Sequence, residues 1–157
     1  MFRTAFLRPD IPVRFASKMF PMKPPTKVEL LWEHDLVLSG TSGKTGMTMD
    51  SAGVAGPSPM QALGFAIAGC MAMDVVHVLT KGRHDFRGLK VTLVADRAQE
   101  DPHRFTAVTM VFTVTGKVPP APIQRAIDLS RDKYCSAWNS LRQDIPLTAT
   151  FNVVAES

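Results

Sequence analysis

The sequence predicts an α+β fold, with helices packed on a mostly antiparallel sheet. Three observations carry this. Short alternating runs with glycine-bearing turns fill residues 27–50. A single apolar run of helical length follows, from Pro59 to Lys81. Two longer alternating runs, two helical segments and a last alternating run then complete the order β-β-β, α, β-β, α-α, β.

Lys27–His34 and Asp35–Ser39 read as strands, Gly40–Gly46 as a turn-rich stretch and Met47–Asp50 as a third strand. Together they form a meander. Ser51–Pro57 is a loop. The next helix start is marked three ways: Ser58 as N-cap, Pro59 at the first helical position, and Gln61 completing a capping box. A helix from there to Lys81 is about 34 Å long at 1.5 Å per residue. Gly82 suits the position past its end, and Lys81 favours the negative pole there. This helix is apolar nearly all round, which predicts burial on most sides. One sheet layer of one chain cannot supply that cover, so an intertwined homodimer is expected, with the long helix central and buried. Gly64 and Gly69 cost helix stability but permit close approach of another backbone.

Leu89–Val94 and Arg104–Val114 alternate as strands, and the Asp101-Pro102 turn between them predicts a hairpin. Ile123, Ala126, Ile127 and Ser130 give Pro119–Lys133 a helical spacing. Ser136–Arg142 is a second short helix and Leu147–Val154 a final strand.

A chain of 157 residues, 45% hydrophobic and 20% charged, reads as one ordinary domain with a real core. That domain is placed at residues 27–157, behind an extension over residues 1–26. In the extension Arg3, Arg8, Arg14, Lys18 and Lys23 face a single acid, Asp10. This is the composition of a targeting peptide, but the reading preferred is a loosely attached extended start. The rest is too weakly basic for nucleic acid, and no phosphate-binding or dinucleotide fingerprint is present. Asp74 and His77 interrupt the apolar run, which argues for a core helix over a bilayer span. Two cysteines are too few for the scaffold of a secreted mini-domain, and a cytoplasmic location is expected.

Those cysteines, Cys70 in mid-helix and Cys135 in Lys133-Tyr-Cys-Ser136, carry the functional question. Neither has a Cys or His two to four residues away, so zinc is disfavoured and no metal or other cofactor is expected. Cys70, Asp74 and His77 share one helical face, but seven residues is about 10 Å along the axis. That is too far for a direct Cys–His hydrogen bond, so Asp74 and His77 are read as a wetter helix end or as partners of a neighbouring element. Cys135 falls at a helix start, where backbone N–H groups favour a thiolate. A structural disulfide, a peroxidatic and resolving pair, and two small core hydrophobes all remain open on these grounds.

Several segments in the right order resemble the OsmC/Ohr family, the osmotically inducible and organic hydroperoxide resistance thiol peroxidases. They are Ser58-Pro-Met-Gln, Ala68-Gly-Cys70, Asp74-Val-Val76, and Ala126-Ile-Asp-Leu-Ser130 with Lys133-Tyr-Cys-Ser136. Gly43-Lys-Thr-Gly46 and Arg87-Gly-Leu-Lys-Val91 support them. The resemblance implies a swapped OsmC-like homodimer with its active sites at the subunit interface. It implies that Cys70 attacks an organic hydroperoxide and becomes a sulfenic acid. Cys135 resolves this to a disulfide, which a dithiol reductant reopens.

The family's well-studied branches carry a Glu ten residues before the nucleophile and an Arg in the upstream Gly-rich turn. Here those places hold Met60, with Gln61 beside it, and Lys44. Lys44 offers a point charge where Arg offers a planar fork. It is the candidate cation for Cys70, because thiolate is the reactive form and apolar surroundings oppose it. Met60, Gln61, Phe65, Met73 and Trp138 are the candidate substrate-binding residues, with Met71 a further apolar lining. The alternative reading is a non-enzymatic dimer that binds a small molecule or lipid.

Overall fold

A computed structural model describes residues 23–155 of the chain. The targeting-peptide question, residues 1–22, lies outside them.

The first sheet is an antiparallel meander of β1 (Glu29–His34), β2 (Val37–Ser42) and β3 (Thr45–Asp50). Its hairpin turn is narrower than the glycine pattern predicts. Ser42 pairs with Thr45, leaving only Gly43 and Lys44 in the loop, and Gly43 takes the positive φ of 58° that such a turn needs. Gly40 and Gly46 lie within strands instead. A Cβ on Gly40 would come within 2.8 Å of Leu30, so this glycine serves close approach and not a turn.

Asp50 ends β3 and organises the following loop. Its carboxylate accepts the N–H groups of Ala55, Ala52 and Val54 at 2.9–3.0 Å, which hold it below the usual carboxylate range. The chain then enters α1 (Pro59–Lys81) through the complete Ser58/Gln61 capping box. Gly82 follows in right-handed conformation, and Arg83 takes the left-handed place, with φ 56°.

The second sheet has the order β4-β5-β6, from Asp85–Arg97, Phe105–Lys117 and Leu147–Val154. β4 and β5 form the expected hairpin, while β6 pairs parallel to β5. Between β5 and β6 lie α2 (Pro120–Leu129), a π-helical turn (Ser130–Tyr134) and α3 (Ser136–Asn139). The predicted helix over Pro119–Lys133 therefore stops at Leu129, where the hydrogen bonding lengthens by one residue. The segment predicted over Ser136–Arg142 is a single helical turn.

One core joins these parts. Alternate residues Val108, Met110, Phe112 and Val114 of β5 meet Ile67, Met71, Val75 and Leu79 of α1 and Ile123, Ala126 and Ile127 of α2. The α1 residues recur every fourth position, a single stripe. Burial on most sides is thus not achieved within one chain. On the opposite face Phe65 is 69% and Met73 68% exposed. Among the described helices α1 alone is long and apolar enough to cross a membrane by length and composition. Its stripe is spent on this core. The meander, with Leu31 and Trp32 each 66% exposed, makes no extensive interface with the helices or the second sheet.

Phe112 is fully buried in the central strand. Phe112→Ala should destabilise the protein by about 3–5 kcal/mol, read from chemical unfolding curves. A cost within the scatter of surface substitutions would show that β5 is not the centre of the core.

Candidate active site

The π-helical turn after α2 decides where Cys135 goes. Its closing bond runs from the Cys135 N–H to the Ser130 carbonyl at 2.8 Å. The extra residue in this turn redirects the chain, and Cys135 emerges extended, with φ −68° and ψ 96°, as N-cap of α3. The Asn139 amide donates to the Cys135 carbonyl at 2.9 Å and to that of Arg131 at 3.1 Å. Both backbone groups of the cysteine are therefore held, the N–H by Ser130 and the carbonyl by Asn139.

This geometry sets the two thiols side by side. Cys70, half-buried in the middle of α1, lies close enough to the fully buried Cys135 to raise its pKa, and both are free thiols. Asp74, one turn beyond Cys70, accepts a 2.7 Å hydrogen bond from the buried Ser130 hydroxyl. Asp74 thus bonds to a neighbouring element, as one of the readings of the Cys70–Asp74–His77 face has it. His77 lies two turns from Cys70 and is exposed.

The position of Cys135 at a helix start was expected to favour its thiolate. The Trp138 N–H does reach its sulfur at 3.3 Å and acts in that direction. Burial and the adjacent Cys70 outweigh this single donor and push the Cys135 thiol up to about 12. Cys135 therefore keeps its proton at neutral pH.

The other candidates divide. Trp138 is buried, with its backbone N–H on the Cys135 sulfur, and Met71 is core. Met60 and Gln61 sit in the first turn of α1, about 14 Å up the axis from Cys70. Gln61 is engaged in the capping box, its Oε1 accepting the Ser58 N–H at 2.8 Å. Phe65 and Met73 lie on the open face and, with Ala68 and Ala72, line a groove of about 680 Å³ between α1 and β4. Met60, Gln61 and Phe65 line a second groove of about 540 Å³. Neither groove has a cysteine in its wall. Lys44 is exposed at the β2–β3 tip, about 20 Å along the strand direction from Asp50. Among the described residues no hydrogen bond or ion pair joins it to Cys70. The residue that sequence spacing left without a role is Ser130; its place in the helical pattern marked it only as core.

The protein-family model described as OsmC-like protein matches residues 50–150, which include both cysteines. The chain belongs to the OsmC-like family. Protein YhfA of Escherichia coli K12 is 39% identical over 123 residues, 78% of this chain and 84% of YhfA. A hypothetical protein from Aquifex aeolicus superposes with a TM-score of 0.79 at 24% identity, over 86% of this chain and all of the other. An organic hydroperoxide resistance protein from Elizabethkingia anophelis shares the fold with a TM-score of 0.63 at 14% identity, over 86% of this chain and all of its own. The OsmC-like fold explains the long helix and the two three-stranded sheets.

The raised Cys135 thiol has a signed consequence. Above pH 9 the unfolded chain releases a proton that the native chain holds to about pH 12. The associated stability is complete below pH 9 and is lost as pH rises toward 12. Accordingly, iodoacetamide should alkylate native Cys135 slowly even at pH 9, and unfolding should release that protection. Equal labelling rates in native and unfolded protein would contradict the assignment.

Proposed function

We infer that this OsmC-like protein reduces organic hydroperoxides with Cys70 as nucleophile and Cys135 as resolving thiol. The observation that carries this reading is the adjacency of a half-buried Cys70 and a fully buried, protonated Cys135 on separate elements. Cys70 gives up its proton, and its thiolate attacks the terminal peroxide oxygen. The O–O bond breaks, the departing alkoxide takes up that proton and leaves as the alcohol, and Cys70 becomes a sulfenic acid. The Cys135 sulfur then attacks Cys70, its proton joins the departing hydroxyl as water, and a disulfide forms. A dithiol from solution reduces that disulfide by exchange. The apolar surroundings favour an organic peroxide over hydrogen peroxide.

The working unit is taken to be a homodimer. The exposed α1 face and the exposed apolar meander support this, since each is a surface that a second copy can cover. In such a dimer Lys44 reaches a thiol only by way of the partner. Sedimentation should give a dimer at micromolar concentration, and a stable monomer would remove this part of the reading.

A binding role without catalysis has one specific support. Met60 and Lys44 stand where the family's activating Glu and Arg belong, while two open grooves run along α1. Dithiol-dependent consumption of cumene hydroperoxide decides between the two. The wild-type chain should turn over, Cys70→Ser should fall to background, and Cys135→Ser should react once without turnover. Wild-type rates equal to those of Cys70→Ser would leave the binding role.

A further inference from the structure

Asp74 and Ser130 hold the only hydrogen bond between side chains of α1 and the π-helical turn that is seen among the described residues, and neither residue has a part in the chemistry above. Ser130 is fully buried, and it contributes two bonds at once. Its hydroxyl donates to Asp74 Oδ2 at 2.7 Å, and its carbonyl accepts the Cys135 N–H at 2.8 Å. Asp74 stands one helical turn from Cys70. A short chain of bonds therefore links the backbone bearing one cysteine to the backbone bearing the other. It runs from α1 through the Asp74 carboxylate and Ser130 to the Cys135 N–H.

We propose that Asp74 and Ser130 are positioning residues whose hydrogen bond clamps the π-helical turn to α1 and so sets how readily Cys70 and Cys135 join. The inference rests on the redox-pair reading and assigns these residues to its second step. The first step needs only Cys70 and the peroxide. The second needs two sulfurs on separate elements to meet, and its rate depends on how tightly those elements are held. A charge-assisted bond made by a buried hydroxyl is strong enough to matter, at about tenfold in an equilibrium constant or more. π-helical turns are concentrated at functional sites, and here the extra residue turns Cys135 toward α1.

The clamp also bears on the fate of Cys70. A sulfenic acid that is not promptly resolved meets a second peroxide and becomes a sulfinic acid. Loosening the clamp should therefore divert oxidation from disulfide to sulfinic acid without slowing the first attack.

The test equilibrates the protein in oxidised and reduced dithiothreitol and measures the effective concentration of the two thiols for each other. Ser130→Ala should lower it about tenfold or more, and Ser130→Thr, which keeps the hydroxyl, should restore it. Asp74→Asn retains an acceptor and should lose less than Asp74→Ala. In a peroxide titration followed by mass spectrometry, Ser130→Ala should give more sulfinic acid at an unchanged rate of first oxidation. General loss of stability does not produce that split. Wild-type effective concentrations in both Ser130→Ala and Asp74→Ala would overturn the proposal. Should those two fail to fold, an effective concentration in Asp74→Asn equal to that of the wild type, or in Ser130→Thr as low as in a chain lacking the bond, would do the same. The dithiothreitol equilibrium needs no peroxide activity, so its outcome separates failure of the clamp from failure of the peroxidase reading.

Discussion

The apolar surface of α1 is larger than one chain can cover, and most of the structure follows from that. Ile67, Met71, Val75 and Leu79 spend one stripe on the core of the second sheet and α2. Phe65 and Met73 are left open on the far side, and the meander adds Leu30, Leu31 and Trp32. Full burial of such side chains is worth about 1.5–3 kcal/mol each, a drive toward cover by a partner surface. The same division of the helix places Cys70. It sits on the flank between the buried stripe and the open face, half-buried and close to Cys135.

Cys135 shows two local effects in competition. A helix start supplies an N–H that favours the thiolate, but it is a single neutral donor. Removal of the thiol from water and the proximity of a second sulfur act the other way and prevail. On the proposed reading, a resolving thiol that keeps its proton does not compete for peroxide, and the proton it keeps is the one that leaves with the hydroxyl.

Much of this was legible in the sequence. The Ser58-Pro59-Met60-Gln61 start and the Gly82 end fixed α1 to the residue, because capping is local chemistry. The β4–β5 hairpin was plain from alternation, though β4 runs over Asp85–Arg97, well beyond the Leu89–Val94 that alternates. Gly40 and Gly46 misled, since a glycine that admits a neighbouring strand looks the same as one that makes a turn. The π-helical turn was invisible, because Ser130–Tyr134 carries ordinary helical residues and the lengthened bond answers to tertiary packing. At the site, the pairing of Cys70 with Cys135 came from resemblance and not from spacing; 65 residues apart, they could equally have faced opposite sides. Phe65 and Met73 were expected to line the site; they stand exposed on α1, because helical position fixes an angle and not the partner that covers it.

The central claim is that Cys70 and Cys135 work as one redox pair within each chain. Stoichiometric titration with an organic hydroperoxide, followed by intact and peptide mass spectrometry, tests it most directly. The account predicts that one equivalent of peroxide removes both thiol hydrogens and yields a single Cys70–Cys135 disulfide inside each chain. Independent over-oxidation of the two residues, or a disulfide only between chains, would contradict it.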